Sequence, residues 1–254
     1  MIHSVLMIGQ SNMAGRGFLN EAEPTAKDVT LRVLRNGRWQ RLFRPINPDR
    51  VTSGYSLGES FAEEYARDHG VEVGIIPCAD GGTSLEQWSV GGLLYDNAVF
   101  NAKQAMRTSH LVAIIWHQGE SDCQEPRYET YCERLIAMMT ELRRELGDED
   151  IPIVVGGLGD FLSKRAEITE KPHYKNYVYV NRELERFAET FPRTAFASAE
   201  GLLANPDELH FSTAALKEFG QRYYKAFLTV EDRSKMFFEE GKTSDTERTE
   251  IELL

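Results

Sequence analysis

The sequence predicts an α/β fold in which helices cover both faces of a central parallel sheet. Short runs that are apolar at nearly every position alternate with longer segments of helical periodicity. Such runs are typical of strands that are buried on both faces. No internal repeat and no Gly/Ser-rich or Pro-rich linker interrupts the alternation. We therefore expect one three-layer α/β/α domain over residues 1–230 with five parallel strands.

The five strands and the helices between them are read from the hydrophobic pattern. The runs predicted as strands are Val5–Ile8, Val71–Pro77, Leu111–Trp116, Ile151–Gly156 and Thr194–Ala199. The segments predicted as helices are Leu57–His69, Leu94–Met106, Arg127–Leu146, Tyr177–Phe191 and Ser212–Phe227. Gly70 is expected to end the first of these helices, and Ser212 to cap the last.

Two segments depart from this alternation. Asn36-Gly37 separates Thr30–Leu34 from Arg38–Leu42 and is a strong signal for a β-hairpin. We expect this inserted hairpin to lie beside the first strand, outside the central sheet. Residues 231–254 are rich in charge, so we expect a surface tail or a contact between copies in a homo-oligomer.

Composition excludes several classes of protein. The formal net charge of −11 disfavours nucleic acid as a partner, since phosphate binding requires clustered Lys and Arg. The start of the chain has no basic segment followed by a long apolar one, so we expect a cytoplasmic protein without membrane contact. Three cysteines, Cys78, Cys123 and Cys132, are too few for a disulfide framework and lack zinc-site spacing.

Polar segments that contain glycine or a short turn follow four of the predicted strands. Because ligands of open α/β sheets bind at the carboxyl ends of the strands, these segments are expected to form one site. The segments are Gly9–Gly17, Asp80–Ser84, His117–Asp122 and Asn205–His210.

Ser11 and the pair Asp207 and His210 are the candidate catalytic residues. Ser11 follows the first strand between two glycines, where a turn exposes its hydroxyl; a helix-capping serine or a phosphate-binding loop has the same local pattern. The i, i+3 spacing of Asp207 and His210 lets a carboxylate hold one imidazole nitrogen while the other acts as a base. A solvated loop pair has this spacing too.

Four motifs resemble the SGNH hydrolases, and among them the sialate O-acetylesterase and acetylxylan-esterase group. They are Gly9-Gln10-Ser11-Asn12-Met13, Gly81-Gly82-Thr83-Ser84, Trp116-His117-Gln118-Gly119-Glu120-Ser121-Asp122, and Asp207-Glu208-Leu209-His210. The resemblance covers residues 3 to about 228 in the expected order. It implies a flavodoxin-like sheet and a serine esterase that needs no metal or cofactor.

The resemblance also implies the role of each site residue. Ser11 would be the nucleophile, His210 the general base and Asp207 its orienting partner. The oxyanion donors would be the backbone N–H groups of Ser11 and Gly81, together with the side-chain amide of Gln118. Gly82 is an alternative to Gly81, because the two glycines are adjacent.

Arg16, Trp88 and Glu120 are candidates for substrate binding. Arg16 could meet a substrate carboxylate or be a surface charge, and Trp88 could stack on a sugar or pack its own loop. Glu120 could support His210 or the loop that carries Gln118, or form a structural hydrogen bond.

The function predicted on this basis is removal of acetyl groups from an O-acetylated carbohydrate, of the sialic acid or xylo-oligosaccharide type, through an acyl-serine. The alternatives are a lipase-like or thioesterase-like SGNH hydrolase, and a catalytically silent module that binds a carbohydrate or a nucleotide.

Overall fold

The computed structural model describes residues 1–232. One sheet runs through it in the strand order β3-β2-β4-β1-β5-β6-β7. The strands are β1 (Ile2–Gly9), β2 (Leu31–Arg35), β3 (Arg38–Arg41), β4 (Glu72–Pro77), β5 (Ser109–His117), β6 (Ile153–Gly156) and β7 (Thr194–Ala197). The predicted class is confirmed, with seven strands in place of five.

The helices form two packed groups. The helices are α1 (Ser11–Ala14), α2 (Leu57–His69), α3 (Leu93–Ala105), α4 (Tyr131–Leu146), α5 (Leu162–Ile168), α6 (Tyr177–Thr190) and α7 (Thr213–Leu228). α2 packs on α7, while α3 and α6 pack on α4. Within residues 1–232, no helix is both long enough and apolar enough to cross a membrane.

The hairpin belongs to the central sheet, which corrects its predicted position. β2 pairs in parallel with β4, where Leu31 lies opposite Val73 and Val33 opposite Ile75. Leu31 and Val33 lie on one face of β2 and are both buried. Pairing of the hairpin with the edge of the sheet removes this apolar face from water, which favours the observed position. β3 pairs antiparallel with β2 and is an edge strand of the seven.

β1 lies in the middle of the sheet and ends at the candidate site. It pairs in parallel with β4 on one side and with β5 on the other. Gly9, its last residue, has φ +134°, and a Cβ there would lie 2.1 Å from the carbonyl oxygen of His117. Only glycine fits this close approach to β5, and directly after it the chain turns into α1.

The helix ends follow the predicted capping signals. α2 has the predicted bounds and ends at Gly70, whose φ of 65° is left-handed. α7 begins after Ser212, whose side chain accepts a hydrogen bond from the Ala215 N–H. α4 begins four residues later than predicted, because Arg127–Thr130 form a 3-10 turn.

Three further features are the cysteines, the helix α5 and the tail. Cys78, Cys123 and Cys132 are buried and form no disulfide among residues 1–232. The short helix α5 has no counterpart in the sequence prediction. Most of the predicted tail, residues 233–254, lies outside the described residues.

Candidate active site

Ser11 is the first residue of α1, where the chain leaves the middle strand of the sheet. The residue is 6% exposed, so neighbouring residues cover most of its surface. The first N–H groups of a helix have no partner within that helix. The backbone N–H of Ser11 makes no hydrogen bond to any acceptor in residues 1–232. A hydroxyl and an unused N–H therefore lie together at this turn.

The structure brings Ser11, His210 and Asp207 into one hydrogen-bonded row. The distance from His210 Nε2 to Ser11 Oγ is 3.0 Å, and that from His210 Nδ1 to Asp207 Oδ2 is 2.6 Å. The other carboxylate oxygen of Asp207 accepts the backbone N–H groups of Leu209 and His210, both at 3.0 Å. The Asn205 N–H closes the turn by donating to the carbonyl of His210 at 2.7 Å. The tight turn thus fixes the carboxylate and the imidazole together.

The carboxyl group of Asp207 stays ionised over the range in which an esterase works. Burial alone would raise its pKa, but the hydrogen bonds from the His210 ring and from two backbone N–H groups outweigh burial and lower the pKa to about 2. An ionised carboxylate favours the protonated form of a neighbouring imidazole. The row can therefore accept a proton from the Ser11 hydroxyl and stabilise the imidazolium that results.

The Gly81–Gly82 segment lies directly beside Ser11. A Cβ on Gly81 would be 3.4 Å from the Cβ of Ser11. The Gly81 N–H donates to Asp49 Oδ2 at 2.8 Å, so this predicted oxyanion donor already has an acceptor. The N–H of Gly82 has no acceptor among residues 1–232, and Gly82 has φ +79°. Of the two glycines, Gly82 has the N–H that is available to a ligand.

The Gln118 side chain is fully buried and points into a network of polar groups. Its Nε2 lies 2.6 Å from Asp122 Oδ2, 3.0 Å from the Thr83 carbonyl and 3.1 Å from Gln10 Oε1. The Tyr131 hydroxyl lies 2.8 Å from the Gln118 amide oxygen. The two hydrogens of the Gln118 side-chain amide thus have three acceptors within the protein. Neither hydrogen is free to bind an oxyanion. In this arrangement Gln118 supports the loop after Gly82 through Thr83.

Replacement of Gln118 by alanine is expected to reduce stability as well as rate. The change removes one buried partner each from Asp122 and Tyr131, which costs on the order of 1–3 kcal/mol in the free energy of unfolding. Asp122 keeps the Leu85 N–H, and Tyr131 keeps the Trp116 indole N–H and the Gln118 carbonyl. The rate should fall because the Gly81–Thr83 loop loses a contact. Urea unfolding and kcat measured on one preparation test this. Unchanged stability together with a kcat lowered by about 10²–10³-fold would instead indicate a direct oxyanion donor.

A comparison with known families fits this geometry. The model of the SASA family, described as carbohydrate esterase, sialic acid-specific acetylesterase, matches residues 2–229. The chain belongs to this family. A protein described as a probable carbohydrate esterase of Arabidopsis thaliana is 26% identical, over 88% of this chain and 89% of that protein.

Solved structures of other proteins share the fold. The structure of the Arabidopsis thaliana protein has a TM-score of 0.79 at 23% identity, over 91% of this chain and 99% of that chain. A carbohydrate acetylesterase from Xanthomonas citri has a TM-score of 0.66 at 20% identity, over 90% of this chain and 56% of that chain. The family and these neighbours support an acetyl-ester hydrolase with the SGNH fold.

In this member of the SASA family, Glu120 reaches the histidine through Asn12. Glu120 accepts a hydrogen bond from Asn12 Nδ2. The same amide also lies 3.2 Å from the carbonyl of Leu209, and Asn12 Oδ1 accepts the Phe211 N–H at 3.1 Å. Glu120 and Asn12 therefore hold the backbone on both sides of His210. Of the roles expected for Glu120, these contacts favour support of His210 over substrate binding.

Arg16 and Trp88 are not free to bind a substrate, which corrects two further expectations. Arg16 is buried and forms two hydrogen bonds with Asp49, of 2.7 and 3.0 Å, so its charge is already paired. Trp88 is fully buried. Its indole N–H donates to Thr83 Oγ1 at 3.1 Å, and its ring packs edge-on against Trp116. Trp88 is thus part of the core beneath the loop.

Sequence reasoning missed three residues that shape this site. Asn12 and Asp122 lie inside the motifs that suggested the family, and their side chains could have been examined for that reason. Asp49 had no such signal, since it precedes its partner Gly81 by 32 residues and lies in no recognised motif. Among residues 1–232, no three His, Cys, Asp or Glu side chains are grouped to hold a metal ion.

Proposed function

We propose that the chain is a serine esterase that removes acetyl groups from O-acetylated carbohydrates through an acetyl-Ser11 intermediate. The observation that supports this most is the row of hydrogen bonds from Ser11 Oγ through the His210 ring to Asp207. A serine hydroxyl is a weak nucleophile unless a base removes its proton, and this row provides both the base and the group that orients it.

In the proposed reaction, Ser11 Oγ attacks the carbonyl carbon of the acetyl ester as its proton moves to His210 Nε2. The negative oxygen of the tetrahedral intermediate accepts hydrogen bonds from the Ser11 and Gly82 N–H groups. The intermediate then expels the sugar oxygen, which takes the proton from His210. Water attacks the acetyl-enzyme by the same route, so acetate leaves and Ser11 regains its proton.

A carbohydrate substrate is proposed from the family and its relatives. The family is described as sialic acid-specific, and the relatives from Arabidopsis thaliana and Xanthomonas citri are described as carbohydrate esterases. The structure gives Arg16 no free charge for the carboxylate of a sialic acid, because Asp49 already pairs with it. The proposal therefore covers neutral as well as acidic acetylated sugars.

A panel of esters tests the proposal. Acetate release is measured from acetylated sialic acids, acetylated xylo-oligosaccharides, and aryl acetate and octanoate esters. We expect kcat/KM for an acetylated sugar to exceed that for the octanoate, and a fluorophosphonate probe to label Ser11. Preference for the octanoate would favour the lipase-like or thioesterase-like alternative. Absence of both turnover and labelling would favour a silent binding module.

A further inference from the structure

Three side chains of one loop bind the backbone of the segment that ends at Gly81. We call Asn47, Asp49 and Arg50 the clamp. The side-chain amide of Asn47 forms two hydrogen bonds with the backbone of Ala79. Its Nδ2 donates to the Ala79 carbonyl at 2.9 Å, and its Oδ1 accepts the Ala79 N–H at 3.0 Å. This pairing fixes the backbone of Ala79 in both directions.

The other two members of the clamp hold Gly81 in the same way. Asp49 Oδ2 accepts the Gly81 N–H at 2.8 Å, and Arg50 Nη2 donates to the Gly81 carbonyl at 3.0 Å. Arg50 also lies 2.6 Å from the carboxylate of Asp80. The N–H of Asp80 donates to the carbonyl of Gly9 at 3.0 Å, which ties the segment to the end of β1. Hydrogen bonds therefore fix this segment beside the turn that carries Ser11.

Close packing supports the same arrangement. A Cβ on Gly81 would lie 2.5 Å from Arg16 Nη2 and 2.9 Å from Asp49 Oδ2. A larger residue at this position would have to displace the buried Arg16–Asp49 pair, so the close packing favours glycine. Asp49 and Arg16 are almost fully buried, with side chains that are 5% and 6% exposed. A buried, paired contact of this kind holds its geometry better than a solvated one.

We propose that the clamp positions the oxyanion hole: it sets the Gly81–Gly82 peptide against Ser11 so that the Gly82 N–H can meet the developing negative charge. This inference rests on the proposed function. The clamp residues are positioning residues, since they act on the backbone of the loop and not on the substrate. Oxyanion donors stabilise a transition state only when they are fixed in advance, so a looser loop lowers the rate.

Arg16 neutralises the charge of the Asp49 carboxylate. Burial alone would raise the pKa of the Asp49 carboxyl, but hydrogen bonds from Arg16, Ser53 and Gly81 hold it below its ordinary value. The carboxylate is therefore charged and lies close to the place where the oxyanion forms. An unpaired negative charge there would oppose the reaction, and Arg16 neutralises it with two hydrogen bonds.

The clamp is tested with Asp49→Asn and Arg50→Ala. We expect kcat for an acetyl ester to fall by about 10–100-fold in Asp49→Asn, with KM changed by less than about threefold. Arg50 is half exposed, so Arg50→Ala should fold as the wild type does, and its kcat should fall by about 3–10-fold. Binding of a boronic acid, which forms a tetrahedral adduct with a serine, should weaken by the same factors.

Glu59→Gln is the matched control. Glu59 is a buried carboxylate paired with Arg44 and has no contact with the Gly81 segment. This variant should lose stability as Asp49→Asn does while keeping the wild-type kcat. Arg16→Gln should lower kcat further than Asp49→Asn, because it leaves the carboxylate unpaired, and adding Asp49→Asn to it should restore part of the rate.

Two results separate failure of the clamp from failure of the proposed function. The clamp alone is overturned if Asp49→Asn and Arg50→Ala both keep the wild-type kcat and the wild-type affinity for the boronic acid. This holds in an enzyme whose Ser11 reacts with a fluorophosphonate. A wild-type protein that neither hydrolyses acetyl esters nor reacts at Ser11 would overturn both.

Discussion

Ser11→Ala is expected to lower kcat for acetyl esters by about 10⁴–10⁶-fold, because the residues of a catalytic triad act as one unit. Its side chain has one hydrogen-bond partner among residues 1–232, His210. The free energy of unfolding should therefore change by less than about 1 kcal/mol. Acetate release by the purified variant, together with mass analysis after treatment with a fluorophosphonate, measures the effect. The variant should show no labelled peptide.

A control serine makes this result specific. Ser89 follows the short helical turn Leu85–Trp88, and its hydroxyl donates to the Glu86 carbonyl at the surface. Ser89→Ala should keep both the labelling of Ser11 and the full rate. If Ser11→Ala still releases acetate at the wild-type rate, the acyl-serine route is contradicted, and a water activated directly by His210 becomes the better account.

The elements that the sequence predicted well are those fixed by local signals. α2 has the predicted bounds because its apolar stripe, the Ser56 cap and the left-handed Gly70 all lie within or next to it. The hairpin turn at Asn36-Gly37 is local too, and both residues have positive φ. The pairing of β2 with β4 is not local, since their residues are about 40 positions apart. No local pattern specifies that partner.

The same distinction explains the candidate site. Ser11, Asp207 and His210 could be proposed because the carboxyl ends of parallel strands lie at one edge of the sheet, and because their motifs resemble a known family. The environment of a side chain in such a loop depends on partners far along the chain. Arg16 pairs with Asp49, 33 residues away, and the Gly81 N–H donates to the same carboxylate across 32 residues. Neither contact leaves a trace in the local sequence.

Asp207→Asn is expected to lower kcat/KM by about 10²–10⁴-fold. The change removes the carboxylate that fixes the His210 tautomer and stabilises the positive charge that the ring gains with the Ser11 proton. The pKa of Asp207 is about 2, so its carboxylate is ionised throughout the pH range of the assay. The loss of rate should therefore be present over that whole range.

Glu120→Gln provides the comparison, with both variants and the wild type assayed on one acetyl ester from pH 4 to 9. Glu120 acts through Asn12, so Glu120→Gln should lower the rate less than Asp207→Asn. Stability gives a second check on Asp207. A carboxyl whose pKa is lowered on folding stabilises the protein above its ordinary pKa of 3.8, and this contribution disappears as pH falls towards 2. The difference in unfolding free energy between wild type and Asp207→Asn should shrink over that interval. A normal rate in Asp207→Asn, together with a lowered rate in Glu120→Gln, would make Glu120 the acidic member of the catalytic triad.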